Sequence, residues 1–249
     1  MSRNQIYTLL EERKRQQKKS FAVLIDPDKV DERILTKLVD RTKKHRPDIF
    51  LVGGSLITSG SLKETISFLK KHTTIPILLF PGNSMHIEQN ADGVLLLSLI
   101  SGRNAEYLIG QHVAAAPILK KSALEIISTG YILVDCGKPT TVSYISNTSA
   151  VPYNKPEIAV CTALASEMLG QKLIYLEGGS GADTHVSKKM ISAVSKSIDI
   201  PLIVGGGIKT AQEAEKCFQA GADILVVGTA IEDKQQLLKA ICKVRDAFN

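Results

Sequence analysis

Eight short apolar runs recur along the chain, and they restrict its fold more than any other feature: Phe21–Ile25, Ile49–Val52, Ile77–Phe80, Val94–Leu97, Tyr131–Val134, Leu173–Leu176, Leu202–Val204 and Ile224–Val227. A strand with one wet face alternates apolar and polar residues, whereas most of these runs are apolar throughout. That pattern belongs to parallel strands covered on both faces. Segments of helical period lie between them, at Val30–Lys44, Ser61–His72, Asn104–Ala115, Pro156–Leu169, Val186–Ser197, Ala211–Gln219 and Lys234–Phe248. A charged amphipathic segment precedes the first strand. Strand–helix alternation of this kind predicts a parallel α/β fold, eight strand runs predict closure into a (β/α)8 TIM barrel, and 249 residues is close to the usual length of one. The expectation is therefore one domain spanning residues 1–249.

Two intervals break the rhythm. Only Pro81–Asp92 separates the third and fourth runs, too little for a full crossover helix, so the third helix is expected to be altered or replaced. The polar stretch Cys136–Lys155 is long for a connection within a barrel and shows no strong period. Placed after the fifth strand, it would cover the catalytic face.

Composition narrows the function classes. No apolar run approaches the ~20 residues of a membrane span, and the N-terminal stretch lacks the apolar core of a secretory signal. The four cysteines have no C-x-x-C spacing and no histidine at metal-ligand distance in sequence, which suits a reduced, cytoplasmic protein. The net charge of +6 comes from scattered Lys and Arg with one dense cluster at Arg13–Lys19, and by itself suits an anionic small molecule as well as a nucleic acid. Aromatic residues do not interleave with basic ones, so no nucleic-acid platform is expected.

Glycine-bearing turns follow the last three runs: Glu177-Gly178-Gly179-Ser180-Gly181, Gly205-Gly206-Gly207-Ile208 and Gly228-Thr229-Ala230. Glycine lets a ligand approach backbone N–H groups, and the following helix adds partial positive charge, so the turns together predict an anion cup suited to phosphate. At the first strand's end stands Ile25-Asp26-Pro27-Asp28-Lys29. Asp26 is the candidate Mg²⁺ ligand, because that ion binds through one or two carboxylates and substrate phosphate oxygens. Asp28 reads instead as the cap of the helix beginning near Val30. Ser55, in Val52-Gly53-Gly54-Ser55, suits either a metal or phosphate contact or a turn cap. Strand alternation points Tyr175 and Glu177 the same way and Leu176 the other, which makes Glu177 a candidate general base.

The set Asp26-Pro27-Asp28-Lys29, Gly53-Gly54-Ser55, Gly130-Tyr131, Tyr175-Leu176-Glu177-Gly178-Gly179-Ser180-Gly181, Gly205-Gly206-Gly207-Ile208 and Val227-Gly228-Thr229 resembles the geranylgeranylglyceryl phosphate synthase family of prenyltransferases. The resemblance runs from the first strand to the last. It implies a Mg²⁺-dependent transfer of a polyprenyl group, such as geranylgeranyl, from its diphosphate to the 3-hydroxyl of sn-glycerol 1-phosphate, the first step of archaeal-type ether lipid synthesis. It implies that Asp26 and Ser55 contact the metal. Tyr175, Leu176, Glu177, Gly178, Gly179, Ser180, Gly181, Gly206, Gly207, Gly228 and Thr229 would hold glycerol phosphate, with Glu177 and Tyr175 catalytic. Tyr107 and Tyr131 would border the prenyl channel, Tyr107 limiting chain length. A homodimer or hexamer, and peripheral contact with membrane lipid, are further implications. Three alternatives stand beside it: a heptaprenylglyceryl phosphate synthase, a phosphate-binding barrel isomerase or cyclase of amino-acid biosynthesis using acids such as Asp135 at the ends of strands one and five, and a non-catalytic basic phosphate-binding module.

Overall fold

The computed structural model describes residues 5–228, 231 and 236–249. Its eight strands are β1 (Ser20–Ile25), β2 (Ile49–Gly54), β3 (Ile77–Pro81), β4 (Gly93–Ser98), β5 (Glu125–Leu133), β6 (Leu173–Glu177), β7 (Leu202–Gly205) and β8 (Ile224–Val227). All pair in parallel in chain order, and β8 returns to β1 with Val23 opposite Val227, so the sheet closes as a barrel. Around it run α1 (Gln5–Arg15), α2 (Glu32–Thr42), α3 (Leu62–His72), α4 (Gln111–Lys121), α5 (Thr141–Ser146), α6 (Pro156–Met168), α7 (Lys188–Ser195), α8 (Ala211–Gln219) and α9 (Leu237–Asp246). No helix among the described residues is long and apolar enough to cross a membrane.

Strand alternation divides the core in two. Outward residues such as Val23, Val52, Leu79, Leu176 and Val204 meet the helices. Inward residues such as Leu51, Leu78, Leu95, Ile127, Tyr175 and Ile203 fill the barrel. The two buried faces explain why the strands read as continuous apolar runs. β5 is the exception, beginning at Glu125, six residues before the expected Tyr131. Its first half, Glu125-Ile126-Ile127-Ser128-Thr129-Gly130, is broken by polar and small residues, and Gly130 lies under Ser166 of α6, where a Cβ would come within 1.9 Å of the Ser166 hydroxyl.

Two further expectations change in detail. The helix foreseen over Asn104–Ala115 is a π turn at Glu106–Gly110 followed by α4, which runs through Pro117 to Lys121 while burying Ala115 and Leu119. Pro117 lacks an N–H to donate, and the helix tolerates that loss through its packing. The segment Cys136–Lys155 holds the short α5, started by a reciprocal Thr140–Ser143 cap, and returns to the barrel where Val151 N–H donates to Leu133 O (2.8 Å). Pro81–Asp92 has no helix, as its length requires.

The opposite mouth is closed by α1, whose Leu10 packs into the barrel core. The described first turn of α1 has no acidic residue of its own. Buried Glu125 supplies the charge from β5, accepting from Ile6 N (2.8 Å) and Tyr7 N (2.7 Å). A carboxylate on helix N-terminal amides is favoured by charge-assisted hydrogen bonding and the helix dipole. Removing it in Glu125→Ala leaves two part-buried donors unmet and is expected to cost about 1–3 kcal/mol in denaturant unfolding. Glu125→Gln should cost less, and an unchanged Glu125→Ala midpoint would contradict this role.

Candidate active site

The strands' C-terminal ends open on a cavity of about 450 Å³. Its walls come from Asp26 and Lys29 after β1, Gly53–Leu56 after β2, Tyr175 and Glu177 of β6, and the turns after β6, β7 and β8. The C-terminal face is where a barrel of this kind carries its chemistry.

Glu177 is the one carboxylate sunk into this floor, 6% exposed. One oxygen accepts from Gly179 N at 2.6 Å. Burial raises its pKa from the usual 4.5 to about 7, partly offset by the Gly179 N–H and by the nearby Tyr175 hydroxyl. That hydroxyl stands close enough to favour the charged carboxylate, yet it has no hydrogen-bond partner among the described residues. Burial first, then the charge of Glu177, pushes the Tyr175 and Tyr131 pKa values well upward, so both stay neutral donors. A buried, unmatched hydroxyl beside a carboxylate poised near neutrality invites a ligand hydroxyl between them.

The glycine turns leave fewer amides open than the sequence suggests. Gly178 N–H is spent on Gly205 O (2.9 Å) and Gly179 N–H on Glu177. The N–H groups of Ser180, Gly181, Gly206 and Gly207 have no backbone acceptor among the described residues, so they are the amides left for an anion. Gly206 and Gly207 adopt φ of 81° and 71°, and a Cβ on Gly206 would come within 2.5 Å of the Glu177 carboxylate. Only glycine brings the β7 turn this close to the acid. Leu176 turns its side chain into the outer core and Gly178 is buried, so neither borders the cavity, while Gly228 does. Thr229 lies outside the described residues.

Across the mouth, Asp26 caps the 3₁₀ turn Pro27–Lys29 by accepting from Asp28 N (3.1 Å), and its other oxygen pairs with Lys29 Nζ at 3.2 Å. The Gly54 backbone packs against the same carboxylate, with Ser55 next along. No cluster of three or more His, Cys, Asp or Glu side chains suited to a metal occurs among the described residues. One carboxylate and one hydroxyl fit a hard cation that takes its remaining oxygens from a phosphorylated ligand and water, as Mg²⁺ does. Asp28 does not cap a helix. Asp31 caps α2 by accepting from Ile34 N (2.7 Å), while Asp28 reaches across to the loop after β2. Donation from Gly60, Ser59 and Thr58 holds the Asp28 carboxyl well below the usual range. Its role is long-range, which local cap logic could not find.

A second, apolar cleft adjoins the cavity, running under α4 along Val94, Leu96, Ala115 and Leu119, with Tyr107 in its wall. The lack of a helix between β3 and β4 leaves this side of the barrel open. Gly54, Ser55, Phe80, Tyr131 and Val142 line both spaces. Phe80, Tyr131 and Tyr175 form an aromatic triangle with centroids 5.3–6.1 Å apart at the junction.

Phe80, Lys29, Lys209 and Thr140–Val142 also border the cavity and went unassigned in the sequence. Lys209 follows the β7 glycines directly, and Thr140–Val142 belong to the segment expected to cover the face, so position was the available signal. Asp135 is exposed, accepts from Gly137 N (3.2 Å) and does not border the cavity, which removes the second acid an isomerase or cyclase would use.

The PcrB family matches residues 12–245. A geranylgeranylglyceryl phosphate synthase of Spirosoma linguale is 53% identical over 97% of each chain, and one of Methanosphaera stadtmanae is 38% identical over 91% of this chain and 92% of its own. The crystal structure of (S)-3-O-geranylgeranylglyceryl phosphate synthase from Thermoplasma acidophilum with its substrate sn-glycerol-1-phosphate superimposes with a TM-score of 0.90 at 31% identity, covering 100% of this chain and 99% of that one.

A carboxyl whose folded pKa is raised favours the folded state while protonated. Wild type should therefore lose stability relative to Glu177→Gln as pH climbs from 4.5 to about 7, with no further change above. Urea midpoints of both proteins at pH 5 and pH 8 check this, and a pH-independent difference would contradict the raised pKa.

Proposed function

The chain belongs to the PcrB family, and we propose that it is a prenyltransferase joining a polyprenyl diphosphate to the 3-hydroxyl of sn-glycerol 1-phosphate. The observation that carries this reading is the shared wall: a polar, acid-bearing cavity and an apolar cleft meet at Gly54, Ser55, Phe80, Tyr131 and Val142. One substrate is a phosphorylated polyol and the other a hydrocarbon with a charged head, so two joined spaces of opposite character suit them. The names of the relatives at 53% and 38% identity, and the glycerol phosphate in the Thermoplasma enzyme, support the same pair.

In this reading the acceptor's phosphate sits on the free amides of Ser180, Gly181, Gly206 and Gly207. Its 3-hydroxyl lies between the Tyr175 hydroxyl and Glu177. Glu177 takes the hydroxyl proton as the oxygen bonds to the donor's first prenyl carbon, and the bond from that carbon to diphosphate breaks. Fixing the nucleophile beside that carbon lowers the barrier chiefly through proximity. Asp26 and Ser55 would hold Mg²⁺, which when bound supplies countercharge for the departing diphosphate. The Phe80–Tyr131–Tyr175 triangle keeps water from the allylic carbon.

Geranylgeranyl diphosphate is the donor we favour, its tail in the cleft against Tyr107. The cleft encloses about 90 Å³ as it stands, so a long tail lies partly outside or parts the π turn and α4 that roof it. Exposed Ile158 and Met168 on α6, with Leu169 directly after it, support self-association.

The test supplies labelled glycerol phosphate, Mg²⁺ and prenyl diphosphates of several lengths, and follows organic-soluble label. Wild type should give product, while Glu177→Gln should lose roughly 10²–10⁴-fold in kcat yet still bind glycerol phosphate. No product from any pair, or full turnover by Glu177→Gln, would overturn the proposal. Tyr107→Ala should shift the accepted donors toward longer chains in the same assay, and an unchanged length profile would remove Tyr107 from the channel.

A further inference from the structure

Asp28 stands apart from every role assigned above. Its carboxylate faces neither cavity, yet it accepts four hydrogen bonds: Thr58 N (2.8 Å) and Thr58 Oγ1 (2.9 Å) on one oxygen, Ser59 N (3.0 Å) and Gly60 N (2.6 Å) on the other. All four donors belong to the loop after β2, and the acceptor belongs to the turn after β1. The same junction is closed sterically, because a Cβ on Gly60 would lie 2.2 Å from the Pro27 carbonyl. The turn after β3 locks on behind it: a Cβ on Gly82 would lie 2.4 Å from Ser55 O, and Gly82 N–H donates to His86 Nδ1 (3.1 Å).

We propose that Asp28 is a positioning residue for the donor half of the site, tying the turn that carries Asp26 to the loop that carries Ser55 so that both face one diphosphate. This rests on the two-substrate reading above. Asp26 and Ser55 come from different strands, and the ladder between those strands ends at Ile25 opposite Val52. Beyond that point no β1–β2 ladder fixes their separation. The Asp28 carboxylate takes over there, and four donors satisfied by one rigid group fix an orientation that a single hydrogen bond could not. The acceptor cup hangs from β6, β7 and β8 and owes nothing to this contact, so the effect should fall on one substrate only.

The experiment uses the full chain and calorimetric titration with two probes, inorganic diphosphate in the presence of Mg²⁺, and sn-glycerol 1-phosphate. Asp28→Asn puts an amide NH₂ where N–H donors point, and should weaken diphosphate binding by roughly 10- to 100-fold, the range seen when groups that orient metal ligands are removed. Glycerol phosphate affinity should stay at the wild-type level. Gly60→Ala perturbs the same junction without touching charge and should reproduce that one-sided loss, while thermal melts report whether either variant remains folded. If Asp28→Asn fails to fold, Gly60→Ala carries the test alone. Equal losses for both probes, no loss for diphosphate, or a loss in Asp28→Asn with Gly60→Ala unchanged would overturn the positioning role, the last by showing that charge alone acts. A wild-type chain that binds glycerol phosphate but no diphosphate would overturn the functional reading, and this inference with it.

Discussion

The return of β8 onto β1 is the contact on which the site depends. With Val23 opposite Val227, the turn after β1 is brought beside the turn after β8, and Gly228 sits 3.3 Å, by its would-be Cβ, from Leu24 O. Residues 26 and 228 are two hundred positions apart in sequence, and only closure makes Asp26 a neighbour of the glycine cup. Beneath them the opposite mouth is sealed by α1, and its edge is held by Arg245 and Arg13 on Asp48 at 2.7 and 3.4 Å. An open sheet with the same strands would carry the same side chains without assembling one cavity.

Burial then gives the assembled residues their chemistry. Glu177 is buried in the cavity that Phe80, Tyr131 and Tyr175 also line, and desolvation of the charged form is the largest cause of its raised pKa. The Gly179 N–H prevents the shift from running further. A carboxylate near neutrality can hold a proton and give it up at physiological pH, which a solvated glutamate does poorly. One packing arrangement thus raises the Glu177 pKa, keeps the tyrosines neutral and leaves an apolar cleft beside the polar cavity.

Most of the barrel was legible because its strands are covered on both faces, so each announced itself as a short apolar run. β5 was read late because its outer residues Ser128 and Gly130 lie against a polar, close-packed stretch under α6, where no large side chain fits. Glu177 and Asp26 were visible as acids at strand ends, and Gly206 as glycine at a turn. The cleft was visible only as a deficit, the short Pro81–Asp92 interval. Its walls come from α4 and the β3 turn, joined where Ser84 N donates to Gln111 Oε1 (2.6 Å), a contact no local pattern encodes. Asp28 shows the same limit. Proximity in sequence suggested the helix at its side, while its partners Thr58–Gly60 lie thirty residues on. Which amides of the cup are free was equally hidden, since Gly178 and Gly179 look like their neighbours until the ladder and Glu177 claim them.

In the proposed reaction two substrates meet at the wall between cavity and cleft, with Glu177 at the point of contact. A crystal structure of the full chain with sn-glycerol 1-phosphate and an unreactive thio-analogue of geranylgeranyl diphosphate tests it directly. The expected complex has phosphate on Ser180, Gly181, Gly206 and Gly207, the 3-hydroxyl on Glu177, and the first prenyl carbon about 3–3.5 Å from that hydroxyl with the tail passing Tyr107. A glycerol phosphate whose 3-hydroxyl points away from Glu177, or a tail bound outside the cleft, would contradict it.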